Sequence, residues 1–278
     1  MVPMMRLPVL ILVATVGCAT LAGPPPTPPV ATLLPGSPKE YKWSPVKWKP
    51  GATLTYINRQ YMELKAGDRQ QAEHSHSVLR LKATERTARG HMRVQLSVDG
   101  TDLGFVLVDE AGRFVDAVAS SPELGELFKA FVQWMDHALL GPSKAGVLRI
   151  GESFRVEYPS SIGLSLYPQA WRGSLNETIV FNNEFIGYAR LGEKMVVGFR
   201  FEMPEILRST VWGSVQGSKE RYQINTLTGS GIVYRDPAGG FIVSSYSEST
   251  ALGFVGRQQI VFRNIEVSEL DWQNSSGF

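Results

Sequence analysis

From Gly51 onward, apolar and polar residues alternate in short runs. Met92, Val94, Leu96 and Val98 interleave with His91, Arg93, Gln95 and Ser97. Met195, Val197, Phe199, Phe201 and Met203 interleave with Val196, Gly198, Arg200 and Glu202. A period of two sends successive side chains to opposite faces, so these runs predict half-buried antiparallel strands. The same reading predicts strands over 52–64, 77–85, 104–109, 113–119, 178–191, 221–228, 241–246 and 259–267. Val98-Asp99-Gly100 and Asp236-Pro237-Ala238-Gly239 lie between runs and carry turn chemistry.

One segment has the other period. Leu124, Leu127, Phe128, Phe131, Val132, Trp134, Met135, Ala138 and Leu139 form a stripe at helical spacing. Ser121 is placed to cap it, Pro122 takes the first helical position, and Gly141-Pro142 stop it. The spacing therefore predicts one amphipathic helix over 121–140, packed on a face of the sheet.

Two stretches echo each other. Gly104 begins GFVLVDEAGRF and Gly231 begins GIVYRDPAGGF, with identity at Gly104/Gly231, Val106/Val233, Asp109/Asp236, Ala111/Ala238, Gly112/Gly239 and Phe114/Phe241. Pro50-Gly51-Ala52 and Ile150-Gly151-Glu152 offer equivalent starts to the two copies. The expected fold is mainly β: curved antiparallel sheet built from a duplicated strand–turn–strand unit, in halves 50–120 and 150–270 joined by the helix. The second copy is longer, and its excess is expected near the aromatic run 158–173, which is uncharged until Arg172.

Composition narrows the class. The 278 residues are 43% hydrophobic and 19% charged, enough for a packed core in one large or two small domains. A formal charge of +2 argues against a nucleic-acid binder relying on a basic field. The single cysteine excludes an intrachain disulfide and any cysteine-built metal cluster.

The N-terminus reads as an address. Arg6 precedes a short apolar run from Leu7 to Val16, followed by small residues, which is the plan of an export signal. The run is well under the ~20 residues a spanning helix needs. Thr15-Val16-Gly17-Cys18 resembles the lipobox cut by bacterial signal peptidase II ahead of a diacylated cysteine. Gly17 and Cys18 match that pattern, and Leu is usual where Thr15 stands. The alternative is ordinary secretion with cleavage after Ala22. The lipoprotein resemblance implies a signal over 1–17, lipidation at Cys18, a proline-rich tether over 18–49 and a body over 50–278. Ala19 after the cysteine implies release to the outer membrane, on its periplasmic or surface face.

Catalytic patterns are sparse. His74 and His76 share a strand face with Val78, Arg80 and Lys82, a solvated face whose cations repel a metal ion. No Gly-x-Ser-x-Gly elbow occurs, and Asp136-His137 falls on the polar side of the predicted helix. Asp99, Asp102, Asp109 and Glu110 sit at turns, where acidic residues serve turn geometry. The body is expected to be non-enzymatic, with no cofactor, no metal and no nucleic-acid partner. A hydrolase with a distributed site is the lesser alternative.

The remaining resource is aromatic: six Trp, nine Tyr and thirteen Phe. An apolar pocket between a curved sheet and a helix resembles the architecture of periplasmic lipoprotein carriers, and no residue is transferred from that family. The expected function is binding of a hydrophobic or lipid ligand, with the stripe and the 158–173 run supplying Phe128, Phe131, Trp134, Met135, Leu164, Leu166, Tyr167 and Trp171. The competing expectation is a structural or assembly lipoprotein that docks on an envelope complex.

Overall fold

The computed structural model describes residues 23–125, 128, 132, 146–159, 171–173, 178–203, 209–215, 218–255 and 257–278. Strands in chain order are β1 (Thr32–Leu33), β2 (Glu40–Lys42), β3 (Thr53–Ala66), β4 (Arg69–Arg86), β5 (Met92–Val98), β6 (Thr101–Val108), β7 (Phe114–Ala119) and β8 (Val147–Arg149). There follow β9 (Ser153–Pro159), β10 (Trp171–Gly173), β11 (Thr178–Leu191), β12 (Lys194–Met203), β13 (Ser209–Val215), β14 (Ser218–Arg235), β15 (Ile242–Val255) and β16 (Gln258–Leu270). Fourteen of them make one sheet, whose main path runs β1-β11-β12-β14-β15-β16-β3-β4-β5-β6-β7; β2 and β8 form a separate ribbon. Every pairing among the described strands is antiparallel, as the alternating pattern predicts.

The sheet curls enough for distant strands to share a core. Leu54 and Tyr56 of β3, Leu81 of β4, Val94 and Leu96 of β5 and Val106 of β6 belong to one apolar cluster with Val196 of β12 and Tyr234 of β14. A second cluster seats Tyr41 of β2 and Leu148 of β8 against Phe185, Val197 and Phe199. Both faces of the sheet are therefore covered around β11–β12, one by the ribbon and the other by the main core.

The two halves follow the same register. Lys49-Pro50-Gly51-Ala52 and Arg149-Ile150-Gly151-Glu152 each close a turn by donation from the fourth residue's N–H to the first residue's carbonyl. The third residue has φ of 86° in one turn and 83° in the other, a region that only glycine enters freely. Gly51 then donates to Ala83, as Gly151 donates to Phe185. A bulge follows each acceptor, between Ala83 and Glu85 and between Phe185 and Gly187. Ala83 pairs with Val94 and Val94 with Val106, while Phe185 pairs with Phe199 and Phe199 with Val233. Both echo motifs form hairpins, β6–β7 and β14–β15. The second turn is one residue longer: Asp109 N–H donates to Arg113, Asp236 N–H to Phe241. The extra length of the second half lies mainly between Phe199 and Val233, where β13 is inserted, and not in the 158–173 run expected to hold it.

One further expectation needs correction. The tether was drawn to residue 49, but β1 pairs with β11, and Tyr41, Val46 and Trp48 are buried in the two cores. Aromatic side chains set among prolines anchor that stretch to the body. The helix expected over 121–140 falls mostly outside the described residues; within it Gly125, Phe128 and Val132 are helical. Ser121 leads into a 3-10 turn at Pro122–Leu124, with Pro122 in the first turn as expected but no capping bond from the Ser121 side chain. Phe128 and Val132 are buried in the main core; Phe131, Trp134 and Met135 lie outside the described residues.

Candidate functional site

Pairing registers show which side chains share a face. On the face that carries Tyr56 and Leu270, three successive rows cross the sheet from β12 to β4. The middle row contains Phe201 of β12, Gly231 of β14, Ser247 of β15, Glu266 of β16, Gln60 of β3 and Ser75 of β4. Phe199, Val233, Ser245, Ser268, Asn58 and Ser77 lie on one side of it. Met203, Gly229, Ser249, Asn264, Met62 and Glu73 lie on the other.

This face is split by chemistry. The β9–β11–β12 side is aromatic: Phe181 meets Phe201 at 5.8 Å between ring centroids, and Phe199 meets Phe154 at 6.2 Å and Phe185 at 5.4 Å. The β15–β16–β3 side carries hydroxyl, amide and carboxyl groups. Gly229 and Gly231 divide the two. A side-chain carbon on Gly231 would strike the Phe201 ring and the Tyr246 carbonyl, and one on Gly229 would press on the Met203 methyl. The glycines thus let the apolar side chains lie across the β14 backbone, up to the serines.

The polar side is ordered. Ser75 Oγ donates to Gln60 Oε1 at 3.3 Å, and Gln60 Nε2 donates to Asn264 Oδ1 at 2.8 Å. Asn264 and Gln60 are 2% and 6% exposed, so their bond replaces solvent rather than competing with it. Beyond them, Ala251, Phe262 and Leu64 return the face to apolar character.

Glu266 stands at the centre. Its side chain is half-buried on this face. No hydrogen bond or ion pair engages it among the described residues. Desolvation pushes its carboxyl from 4.5 up to about 7. The three rows contain no lysine or arginine. The nearby basic residue on this face is Arg235, paired across β12 with Val197. It is sequestered: 1% exposed, bonded to the Gly240 carbonyl, with its guanidinium 4.1 Å from the Trp43 ring centroid. Burial lowers its pKa to about 10, against the pull of Tyr41 and Tyr56.

Of the residues predicted to bind ligand, Phe128 and Trp171 are among the described ones. Phe128 is 3% exposed in the main core. Leu164, Leu166, Tyr167, Phe131, Trp134 and Met135 lie outside the described residues. Trp171 is on β10, paired with Gly213 of β13. Cys18 also lies outside them. The face described above was missed because Ser245, Ser247 and Ser249 are interleaved with Ser244, Tyr246 and Glu248, so the run reads as polar on both faces. The usable signal was the pair Gly229 and Gly231 beside alternating serines.

Other acidic and histidine positions have local roles. Burial raises the Asp109 carboxyl, but the Arg113 N–H and guanidinium outweigh it and hold the carboxyl below its usual range. Asp236 accepts from the N–H groups of Ala238 and Gly239 in the other hairpin. His74 stacks 5.1 Å from Tyr61 and contacts the Gly23 carbonyl. Among the described residues, no three His, Cys, Asp or Glu side chains gather as a metal set. A surface cleft of ≈ 420 Å³ beside His91, Leu107 and Asp116 opens on the other face.

No family model and no curated protein matches the chain. Among solved structures, two of Ail, the attachment invasion locus protein of Yersinia pestis, align with 80% of this chain and 100% of their own. The one in complex with the heparin analogue sucrose octasulfate has 7% identity and a TM-score of 0.20; the other has 6% and 0.18. Likeness at that level carries no argument about fold or role.

Proposed function

We propose that this chain is an exported, lipid-anchored, non-enzymatic binding protein whose curved sheet holds an amphiphile, a hydrophobic molecule with a polar head. One observation carries the reading: a single sheet face is divided by Gly229 and Gly231 into an aromatic half and a hydroxyl, amide and carboxyl half. Apolar area removed from water supplies affinity at roughly 25 cal/mol per Å². A few fixed polar groups orient the molecule. Lipid attachment at Cys18 through Gly17-Cys18 would hold the body at the outer membrane, where such ligands occur.

The matched turns, bulges and registers of the two halves support descent from a duplicated unit. In that reading the site belongs to the second half and its junction with β3, because Phe201, Gly231 and Ser247 have Leu96, Gly104 and Ala119 as counterparts.

The test is displacement of the fluorescent probe 1-N-phenylnaphthylamine by dodecanol. The wild type should bind the probe and release it to dodecanol. Gly231→Val, which drives the Phe201 ring off the β14 backbone, should weaken probe binding at least tenfold, with the circular dichroism spectrum checked for folding. A wild type that does not bind the probe contradicts the proposal and favours a docking role on an envelope complex.

A further inference from the structure

Resting on that reading, we propose that the head recognised at Glu266 is a cationic amine, so that the ligand class is an alkylammonium amphiphile. The argument is charge complementarity. Glu266 is half-buried, has no counter-ion among the described residues, and shares its three rows with no lysine or arginine. A partly desolvated carboxylate without a partner is unfavourable, and a bound cation relieves that cost by direct pairing. Arg235 does not serve, because the Trp43 ring and the Gly240 carbonyl engage it at the far end of the face.

The neighbours suit an ammonium, which has three donors and no acceptor. Glu266 supplies carboxylate oxygens. Ser247, directly opposite on β15, supplies a hydroxyl oxygen. Gln60 Oε1 accepts one bond from Ser75 and keeps acceptor capacity for another. The alkyl chain then has the Phe201 and Phe199 side to lie on. An anionic head faces the opposite situation, since it would meet the Glu266 carboxylate and bind only with uptake of a proton.

The experiment compares dodecylamine, dodecanol and dodecanoate as displacers of 1-N-phenylnaphthylamine from the full chain at pH 8, below their micelle concentrations. The expected order is dodecylamine tightest, by about tenfold or more over dodecanol, and dodecanoate weakest. Glu266→Gln should abolish the preference for dodecylamine over dodecanol, with the circular dichroism spectrum checked for folding. Glu266→Asp, with the charge kept, should retain part of the amine preference. Equal affinity for all three in the wild type, or dodecanoate tightest, overturns the amine assignment and leaves the amphiphile reading standing. No displacement by any of them, with no probe bound, overturns both.

Discussion

Replacing Glu266 by glutamine should change how stability depends on pH, with a sign fixed by burial. The unfolded carboxyl titrates near its ordinary 4.5, and the folded one near 7. Between those values the folded protein holds a proton that the unfolded chain releases. Wild-type stability is therefore highest, for this group, below pH 4.5; it falls as pH rises through the window and levels off above 7. The full fall is about 3 kcal/mol at 1.36 kcal/mol for each unit between the two values. Between pH 5 and pH 8 it is about 2–3 kcal/mol. Groups facing Glu266 do not complicate the sign: Ser247 on β15, Gln60 on β3 and Asn264 and Ser268 on its own strand do not titrate, and Glu73 is a row away. Glutamine keeps the shape and lacks the proton. Urea unfolding followed by tryptophan fluorescence at pH 5 and 8 should show Glu266→Gln gaining about 2–3 kcal/mol on the wild type over that interval. Shared surface titrations cancel in the difference. Parallel profiles for the two proteins would refute a partly desolvated, unpartnered carboxyl.

Gly51→Ala and Gly151→Ala each place a methyl group in open space but on a left-handed backbone, so both should lose about 1–2 kcal/mol by urea unfolding; a clear cost at one position and none at the other would break the equivalence of the halves. Phe128→Ala should cost about 3–5 kcal/mol, because that ring is closed into the main core, and a loss under 1 kcal/mol would show that it lines space instead. Cys18→Ala should abolish acylation and move the protein from the membrane to the soluble fraction; a mature terminus at Gly23 without lipid, by mass spectrometry, would replace the anchor with plain secretion.

Strands that pack an apolar face were legible residue by residue. Met92–Val98 is β5 as alternation requires, and the predicted 178–191 strand is β11 to the residue. Legibility failed where the inward side chains are polar. The Arg69–His76 half of β4 turns Glu73 and Ser75 toward the same face as Leu79, so nothing there resembles a core stripe. The continuation of β15 past Tyr246 was hidden in the same way by Ser247 and Ser249. Those stretches line the candidate site, so the strands read most easily were not the informative ones. The tether was overdrawn because proline content masked Tyr41, Val46 and Trp48, whose burial depends on partners more than a hundred residues away in β8 and β11–β12 or across the main core. The hairpin turns were legible because the Asp-x-Ala-Gly stretches and the glycines answer to local backbone geometry, which short motifs encode.

The central claim is that the glycine-divided face is where an amphiphile binds. A ¹H–¹⁵N correlation spectrum of the full chain, titrated with dodecylamine, tests it most directly. The expected result is saturable shifts concentrated at Phe201, Gly231, Ser247, Gln60 and Glu266, with the β6–β7 hairpin around Asp109–Arg113 unmoved. Shifts confined to the exposed β7 residues Val115 and Val118, or spread evenly over the surface, would contradict it.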